Sequence, residues 1–215
     1  DISLFYTLSA MHLDVLTVEQ REILPKLNVF KKQFYLVGGT AIALQIGHRF
    51  SIGFDLFTPK SFNQSLILSK FAGQNIVYKI LFKNAEGLHL LCNTVKITFF
   101  EFPFPVKHPL IVSNQLSMPS LIDLSAMKAY ALGRRSKWKD YVDMYFIMKN
   151  YFSFHQISVQ AERLFGENFS KKLFKAQLGY FDDIDYSETV EFLPGFEVTD
   201  EIIKEFLSNV SLDRF

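Results

Sequence analysis

The chain has 215 residues and a mass of 24.9 kDa, which suits one large domain or two small ones. Apolar residues make up 49% of the chain and aromatic residues 16%, so the composition excludes a disordered protein. A formal net charge of +1 argues against a general polyanion binder. No apolar run reaches the roughly 18 residues of a membrane span, and no signal-peptide pattern opens the chain. We therefore expect a cytoplasmic protein without membrane association.

The first third of the chain has a helical pattern followed by alternating strand and helix patterns. Apolar positions at helical spacing predict a helix over residues 16–30, with Thr17 as its cap and a kink or split at Pro25. The remaining patterns predict, in chain order, a strand at 34–37, a helix at 40–46, a strand at 54–57 and a helix at 62–71. Gly53 is interpreted as a break before the second strand.

The middle and the last part of the chain differ in character. Three runs, at 75–82, 88–92 and 94–102, predict an antiparallel meander that contains Cys92 as a buried thiol. Helical patterns then dominate, at 121–132, 137–150, 155–165, 168–179 and 200–209. The sequence thus predicts an α+β fold with a mixed sheet and flanking helices at residues 1–112, followed by a helical domain at 113–215.

Two charged runs admit two interpretations each. Basic side chains crowd between two predicted helices, where they either contact phosphate or form a solvated turn: Arg134, Arg135, Lys137 and Lys139. A loop-like acidic stretch either binds a metal ion or is simply solvated: Asp182, Asp183 and Asp185.

The Gly38-Gly39-Thr40 turn is the first candidate for chemistry. It follows a predicted strand and begins a helix, so its backbone N–H groups lie at the positive end of the helix dipole, where a phosphate can bind. Asp55 on the next strand is placed to hold a magnesium ion. A glycine turn also occurs in many folds for conformational reasons alone.

Charged residues on the predicted helices add to this candidate. Lys128 projects from an apolar helical stripe, either as a ligand contact or as a side chain that reaches out to water. Asp140 and Asp143 lie three residues apart on one helical face. They could act as base and ligand, or be structural, with Asp140 favoured by the helix dipole and Asp143 paired with Lys139.

Three segments, in order, resemble the motifs of the AbiEii/AbiGii toxin family of nucleotidyltransferases. They are residues 38–44 with 48–57, a lysine helix at 123–128, and a KDxxD helix at 139–146. The resemblance runs from about residue 20 to the C-terminus. It implies a polymerase-β-like nucleotidyltransferase core, and some members of the family are toxins that add nucleotides to transfer RNA.

The resemblance also implies an activity and a set of roles. The protein would move a nucleoside monophosphate from a nucleoside triphosphate to an acceptor hydroxyl, plausibly on transfer RNA, as the toxin of a pair with a cognate antitoxin. Asp55 would hold Mg²⁺, or Mn²⁺ in its place, and Asp143 would orient Lys128 or the acceptor, with Asp140 in support. The nucleotide phosphates would contact the following residues: Gly38, Gly39, Thr40, Arg49, Ser51 and Lys128.

Two positions depart from the family pattern. The fold normally has a carboxylate two residues before Asp55, where this chain has Gly53, and a third on a later strand, where it has Thr98. Loss of two anionic ligands weakens metal binding unless other acids, such as Glu101, replace them. The alternative function is therefore a family member that binds nucleotide, RNA or a protein partner without catalysis.

Overall fold

A computed structural model describes residues 11–132 and 134–213. The first half contains helices α1 (Val18–Ile23), α2 (Gly38–Ile46) and α3 (Gln64–Gly73), and the strands β1 (Tyr35–Val37), β2 (Gly53–Thr58), β3 (Lys79–Lys83), β4 (Gly87–Cys92) and β5 (Val95–Glu101). The second half begins with β6 (Leu110–Val112) and β7 (Leu116–Met118), followed by α4 (Leu121–Leu132), α5 (Trp138–Asn150), α6 (Phe154–Phe165), α7 (Lys171–Leu178) and α8 (Asp200–Leu212). The predicted α+β class is confirmed.

The main sheet has five strands in the order β1-β2-β5-β4-β3. The central pair, β2 and β5, is parallel, and the other neighbours are antiparallel. Strands β3, β4 and β5 form the predicted antiparallel meander. Gly53 does not break the chain, because it is the first residue of β2 and pairs with Lys96.

The predicted long helix at 16–30 is split. Thr17 caps α1 through a capping box with Gln20, and the chain continues from Leu24 to Phe30 as a 3-10 segment with Pro25 in its first turn. Proline supplies no N–H for an α-helical hydrogen bond, which explains the change of helix type. The Thr17 cap and the split at Pro25 are thus confirmed.

The two faces of the sheet differ in polarity. Side chains alternate along a strand, so Phe99 on β5 lies on the opposite face from its neighbour Thr98. Phe99 packs with Phe30, Phe34 and Phe71 in an aromatic cluster beneath the sheet. The predicted buried state of the Cys92 thiol is confirmed, and its burial raises the pKa of that thiol to about 11. The polar face is left for the candidate site.

Helix α2 connects the sheet to the helical half. It packs on β1 and β2 and also on α4 and α5. The later helices also pack on one another. Helix α4 packs against α6, and both α5 and α7 pack against α8. Among the helices within the described ranges, none is both long and apolar enough to cross a membrane.

A short hairpin, β6–β7, was not predicted from the sequence. Leu110 pairs with Met118 and Val112 with Leu116, and Ser113 and Asn114 in its turn adopt positive φ angles. The proposed boundary between residues 112 and 113 falls at this turn. The division into two domains remains a prediction.

Candidate active site

The glycine turn lies directly against the carboxylate of Asp55. Val37, the last residue of β1, pairs with Asp55 on β2, and α2 begins at the next residue. Gly38 has a φ angle of +75°, and a Cβ atom there would overlap Asp55 Oδ2. A Cβ atom on Gly39 would overlap Arg49 Nη2. Gly38 is therefore required by its positive φ angle, and a side chain at position 39 would have to displace the Arg49 guanidinium.

Asp55 is the first of three polar residues that lie next to each other on adjacent strands of the sheet. It pairs with Thr98 on β5, which in turn pairs with His89 on β4, so the three residues lie side by side on one face. Within the described part of the chain, no group forms a hydrogen bond or ion pair with the Asp55 carboxylate. Asp55 is half-buried and lies next to the N-terminal end of α2.

The hydroxyl of Thr40 is used by the protein itself. Thr40 donates a hydrogen bond to the carbonyl of Gly53, and the Thr40 and Ser51 hydroxyl oxygens are 2.6 Å apart. Both side chains are buried. These contacts fasten the first turn of α2 to the start of β2, and so position Gly38 relative to Asp55.

Asp143 is the centre of a buried ion-pair network. One carboxylate oxygen accepts hydrogen bonds from His48 Nε2 at 2.8 Å and from Arg49 Nε at 2.7 Å. The other oxygen accepts from Arg49 Nη2 at 2.9 Å and lies 2.9 Å from Lys128 Nζ. A bidentate arginine pair of this kind fixes orientation as well as charge. Asp143 on α5 thereby holds the segment that leads into β2.

Asp140 extends this network towards solvent. Its two oxygens accept from Lys128 Nζ at 2.7 Å and from Arg135 Nε at 3.0 Å. The side chains of Asp140 and Lys128 are buried, whereas that of Arg135 is 49% exposed. Three cations (Arg49, Lys128, Arg135) against two carboxylates leave one positive charge, which the structure presents at Arg135.

The ionisation of the network follows from its pairing. Burial opposes the charge of Asp143, but Arg49 and Lys128 outweigh it and hold the pKa of that carboxyl well below its usual range. Burial also opposes the charge of Lys128, yet Asp140 and Asp143 raise its pKa. For His48 burial prevails and lowers the pKa, so the imidazole is neutral at pH 7 and donates through Nε2.

The long-range charge of Asp55 reaches the exposed end of this network. Burial works against the guanidinium charge of Arg135, but Asp140 and then Asp55 raise its pKa. Asp55 and Arg135 are both partly exposed. A carboxylate of this kind can bind a metal ion, and an exposed guanidinium can bind a phosphate.

The structure brings the predicted residues together, with several in new pairings. Lys128 does not reach out to water as one interpretation held, because both of its carboxylate partners are buried with it. Asp143 does not pair with Lys139, because Lys139 contacts Glu188. Asp140 lies in the first turn of α5, as predicted. Contacts of these residues with a nucleotide remain a prediction.

Position 53 cannot carry a carboxylate without a shift of the backbone. A Cβ atom on Gly53 would lie 2.7 Å from the carbonyl oxygen of Lys96 on the paired strand. Glu101 does not replace the missing acid, because it pairs with Thr58 and lies three residues beyond Thr98, on the opposite face by strand alternation. Over residues 11–132 and 134–213, no three acidic, histidine or cysteine side chains form a group that could hold a metal ion.

Two residues of the site were missed by sequence reasoning. His48 lies in the segment at 48–57 that resembles the family motif, but it was assigned no role. Glu188 lies in a segment without periodicity, and no sequence signal linked it to the distant basic run that it contacts. The acidic loop near it contributes Asp183, which accepts a hydrogen bond from Ser136.

Comparisons with known proteins point to one fold. No family model matches the chain. An uncharacterized protein of Aquifex aeolicus (strain VF5), aq_aa25, is 29% identical over 201 residues, which are 89% of this chain and 97% of that protein.

Two solved structures share the architecture at low identity. MenT4, a nucleotidyltransferase toxin of Mycobacterium tuberculosis H37Rv, has a TM-score of 0.62 and 12% identity, over 91% of this chain and 81% of its own. JHP933 of Helicobacter pylori has a TM-score of 0.53 and 16% identity, over 93% of this chain and 88% of its own. The chain thus has the fold of these proteins, which include a nucleotidyltransferase.

Proposed function

We propose that this protein is a nucleotidyltransferase that moves a nucleoside monophosphate from a nucleoside triphosphate to an acceptor hydroxyl. One observation carries the proposal: Asp55 is a half-buried carboxylate on β2 that forms no hydrogen bond or ion pair within the described chain and lies against Gly38 at the start of α2. The other acids of the site, Asp140 and Asp143, are neutralised by buried cations. The nucleotidyltransferase fold supports the same reading.

The proposed reaction is an in-line displacement. The acceptor oxygen attacks the α-phosphorus and forms a new P–O bond, and the bond from that phosphorus to the bridging oxygen of the β-phosphate breaks. Pyrophosphate leaves with the electron pair, and the hydroxyl proton passes to Asp55 or to solvent. Positioning and charge stabilisation account for most of the rate of such a reaction.

The described residues do not form a complete metal centre, but they fit a Mg²⁺ or Mn²⁺ ion that binds together with the nucleotide. Mg²⁺ commonly binds one or two protein carboxylates together with substrate phosphates, and Asp55 supplies one, beside the hydroxyl of Thr98. When bound, the ion would neutralise charge that develops on the phosphoryl oxygens. No second carboxylate can join from position 53 while the backbone keeps its place.

The remaining candidates divide into contact and positioning roles. The N–H groups of Gly38, Gly39 and Thr40 begin α2, which lacks a side-chain cap, and are proposed to bind phosphate. We assign Arg135 to the phosphate as well, because one side of its guanidinium is taken by Asp140 and the side chain is half exposed. The remaining residues are proposed to hold the starts of α2 and β2 in place, and so to position the groups that contact the ligand: Arg49, Ser51, Lys128, Asp140 and Asp143.

The acceptor is proposed to be transfer RNA, and the biological role that of a toxin with a cognate antitoxin. Support comes from the AbiEii/AbiGii-like motifs and from the toxin MenT4, which has the same fold.

Incubation with transfer RNA, Mg²⁺ or Mn²⁺ and each labelled nucleoside triphosphate tests the proposal. We expect label on the RNA, and a loss of at least about a hundredfold in the Asp55→Asn variant, because removal of a single group that stabilises transition-state charge costs about that much. Asp14→Asn, on the exposed surface, is the matched control. Equal labelling by wild type and Asp55→Asn would rule out the assigned role of Asp55.

A binding protein without catalysis is the second candidate. The close approach of Gly53 to the Lys96 carbonyl favours it, because that contact removes one usual metal ligand. Calorimetry that detects nucleotide binding, together with the absence of transfer to any RNA, would establish this second function in place of the first.

A further inference from the structure

A short strap crosses from the start of α5 to the start of β2. At one end, Asp185 forms two backbone hydrogen bonds with the basic run at 134–139. Its N–H donates to the carbonyl of Ser136 at 2.7 Å, and its carbonyl accepts from the N–H of Trp138 at 3.1 Å. At the other end the carbonyl of Glu191 accepts from the Phe50 amide at 2.9 Å. The strap, residues 185–191, therefore joins the two segments that flank the candidate site.

Glu188, in the middle of the strap, points its carboxylate at a pair of lysines. Lys137 contacts one oxygen and Lys139 contacts the other. Despite partial burial, the two lysines lower the pKa of Glu188 to about 2. One carboxylate thus lies between two lysine ammonium groups.

We propose that Lys137 and Lys139 form a phosphate-binding subsite next to Arg135, and that Glu188 fills this subsite until a phosphate group displaces it. The identity of the ligand rests on the proposed function, whereas competition between Glu188 and an added anion can be measured without turnover. The basic run was predicted either to contact phosphate or to face water. In the ligand-free protein its two lysines instead bind Glu188 of the same chain.

The chemistry of the subsite fits a phosphate better than a carboxylate. A phosphate offers more oxygens and more negative charge to two lysines, and lysine binds phosphate as a point charge without a fixed geometry. Displacement of Glu188 also requires little unfolding. Ser187 and Thr189 on either side are exposed, while Tyr186 remains packed on Trp138 at a ring distance of 5.3 Å.

Titration of tripolyphosphate into wild type and Glu188→Gln by calorimetry tests the subsite. We expect the variant to bind about tenfold more tightly, because the substitution removes two competing ion pairs that are partly exposed. Glu191→Gln is the matched control, since it makes the same change of charge on the same strap with an exposed side chain. Equal affinities of Glu188→Gln and Glu191→Gln for every phosphate probe would overturn the proposal.

A second probe distinguishes the two sources of phosphate. If tightening appears with tripolyphosphate, the subsite serves the nucleotide; if it appears only with a single-stranded RNA oligonucleotide, the subsite serves the acceptor backbone. In the wild-type protein, saturating ligand should also accelerate hydrogen exchange of the Asp185 and Phe50 amides, whose hydrogen bonds hold the two ends of the strap, at least about threefold relative to α4, since the strap loses its central ion pairs. Unchanged exchange at saturation would contradict displacement of Glu188, even if the variants failed to fold.

Discussion

Replacement of Asp143 by asparagine removes the charge at the centre of the network and keeps its shape. Asp143 receives four contacts of 2.7–2.9 Å from His48, Arg49 and Lys128. Lys128 retains Asp140 as a partner in the variant, but Arg49 would lose its anionic partner and keep only neutral acceptors, the introduced amide oxygen and the Phe50 carbonyl. One buried cation is then uncompensated, so we expect a loss of about 3 kcal/mol, at the lower end of the range for breaking a buried ion pair.

Urea denaturation of Asp143→Asn and of a matched control measures this loss. Asp123→Asn is suitable because Asp123 is also buried but accepts only from the neutral donors Ser120 and Gln160. We expect that control to lose about 1 kcal/mol, the size of a neutral hydrogen bond. If the free energy of unfolding falls equally in the two variants, Asp143 does not hold the network together as argued.

Two further predictions concern the backbone at position 53 and the histidine of the network. Gly53→Asp should lower the free energy of unfolding by about 2 kcal/mol in urea denaturation and leave Mn²⁺ affinity in calorimetry unchanged, because its Cβ would press on the Lys96 carbonyl. Gly73→Asp, with open space around the added atom, is the control, and equal stability would contradict this contact. Because burial lowers the pKa of His48, its contribution to stability is complete above the unfolded pKa of about 6.5 and is lost as the pH falls towards the folded value. Denaturation midpoints between pH 7 and 5 should therefore fall less steeply for His48→Gln, and an unchanged slope would refute a neutral His48.

Periodicity and turn residues were enough to predict most of the fold. The bounds of α4 were predicted to the residue, because the apolar stripe starts after Pro119 and ends before Gly133. The hairpin β6–β7 was not predicted, because each strand has only three residues, which are too few to show an alternation of apolar and polar side chains. Such strands depend on packing, with Val112, Leu116 and Met118 buried.

The candidate site was predicted as a set of residues but not as a set of pairs. Lys128 and Asp143 were identified, yet their pairing with residues as distant as Arg49, 94 positions before Asp143, depends on how α5 packs on α2. The absence of a carboxylate at Gly53 was visible in the sequence. Its cause was not, because the approach of the Lys96 carbonyl is a property of the parallel pairing of β2 and β5.

The reaction class is tested most directly by the position of the label in the nucleoside triphosphate. Wild-type protein is incubated with transfer RNA and a divalent metal ion, once with α-labelled and once with γ-labelled nucleotide. Nucleotidyl transfer predicts label on the RNA from the α position alone, with release of pyrophosphate. Label transferred from the γ position alone would contradict the proposed reaction and indicate phosphoryl transfer instead.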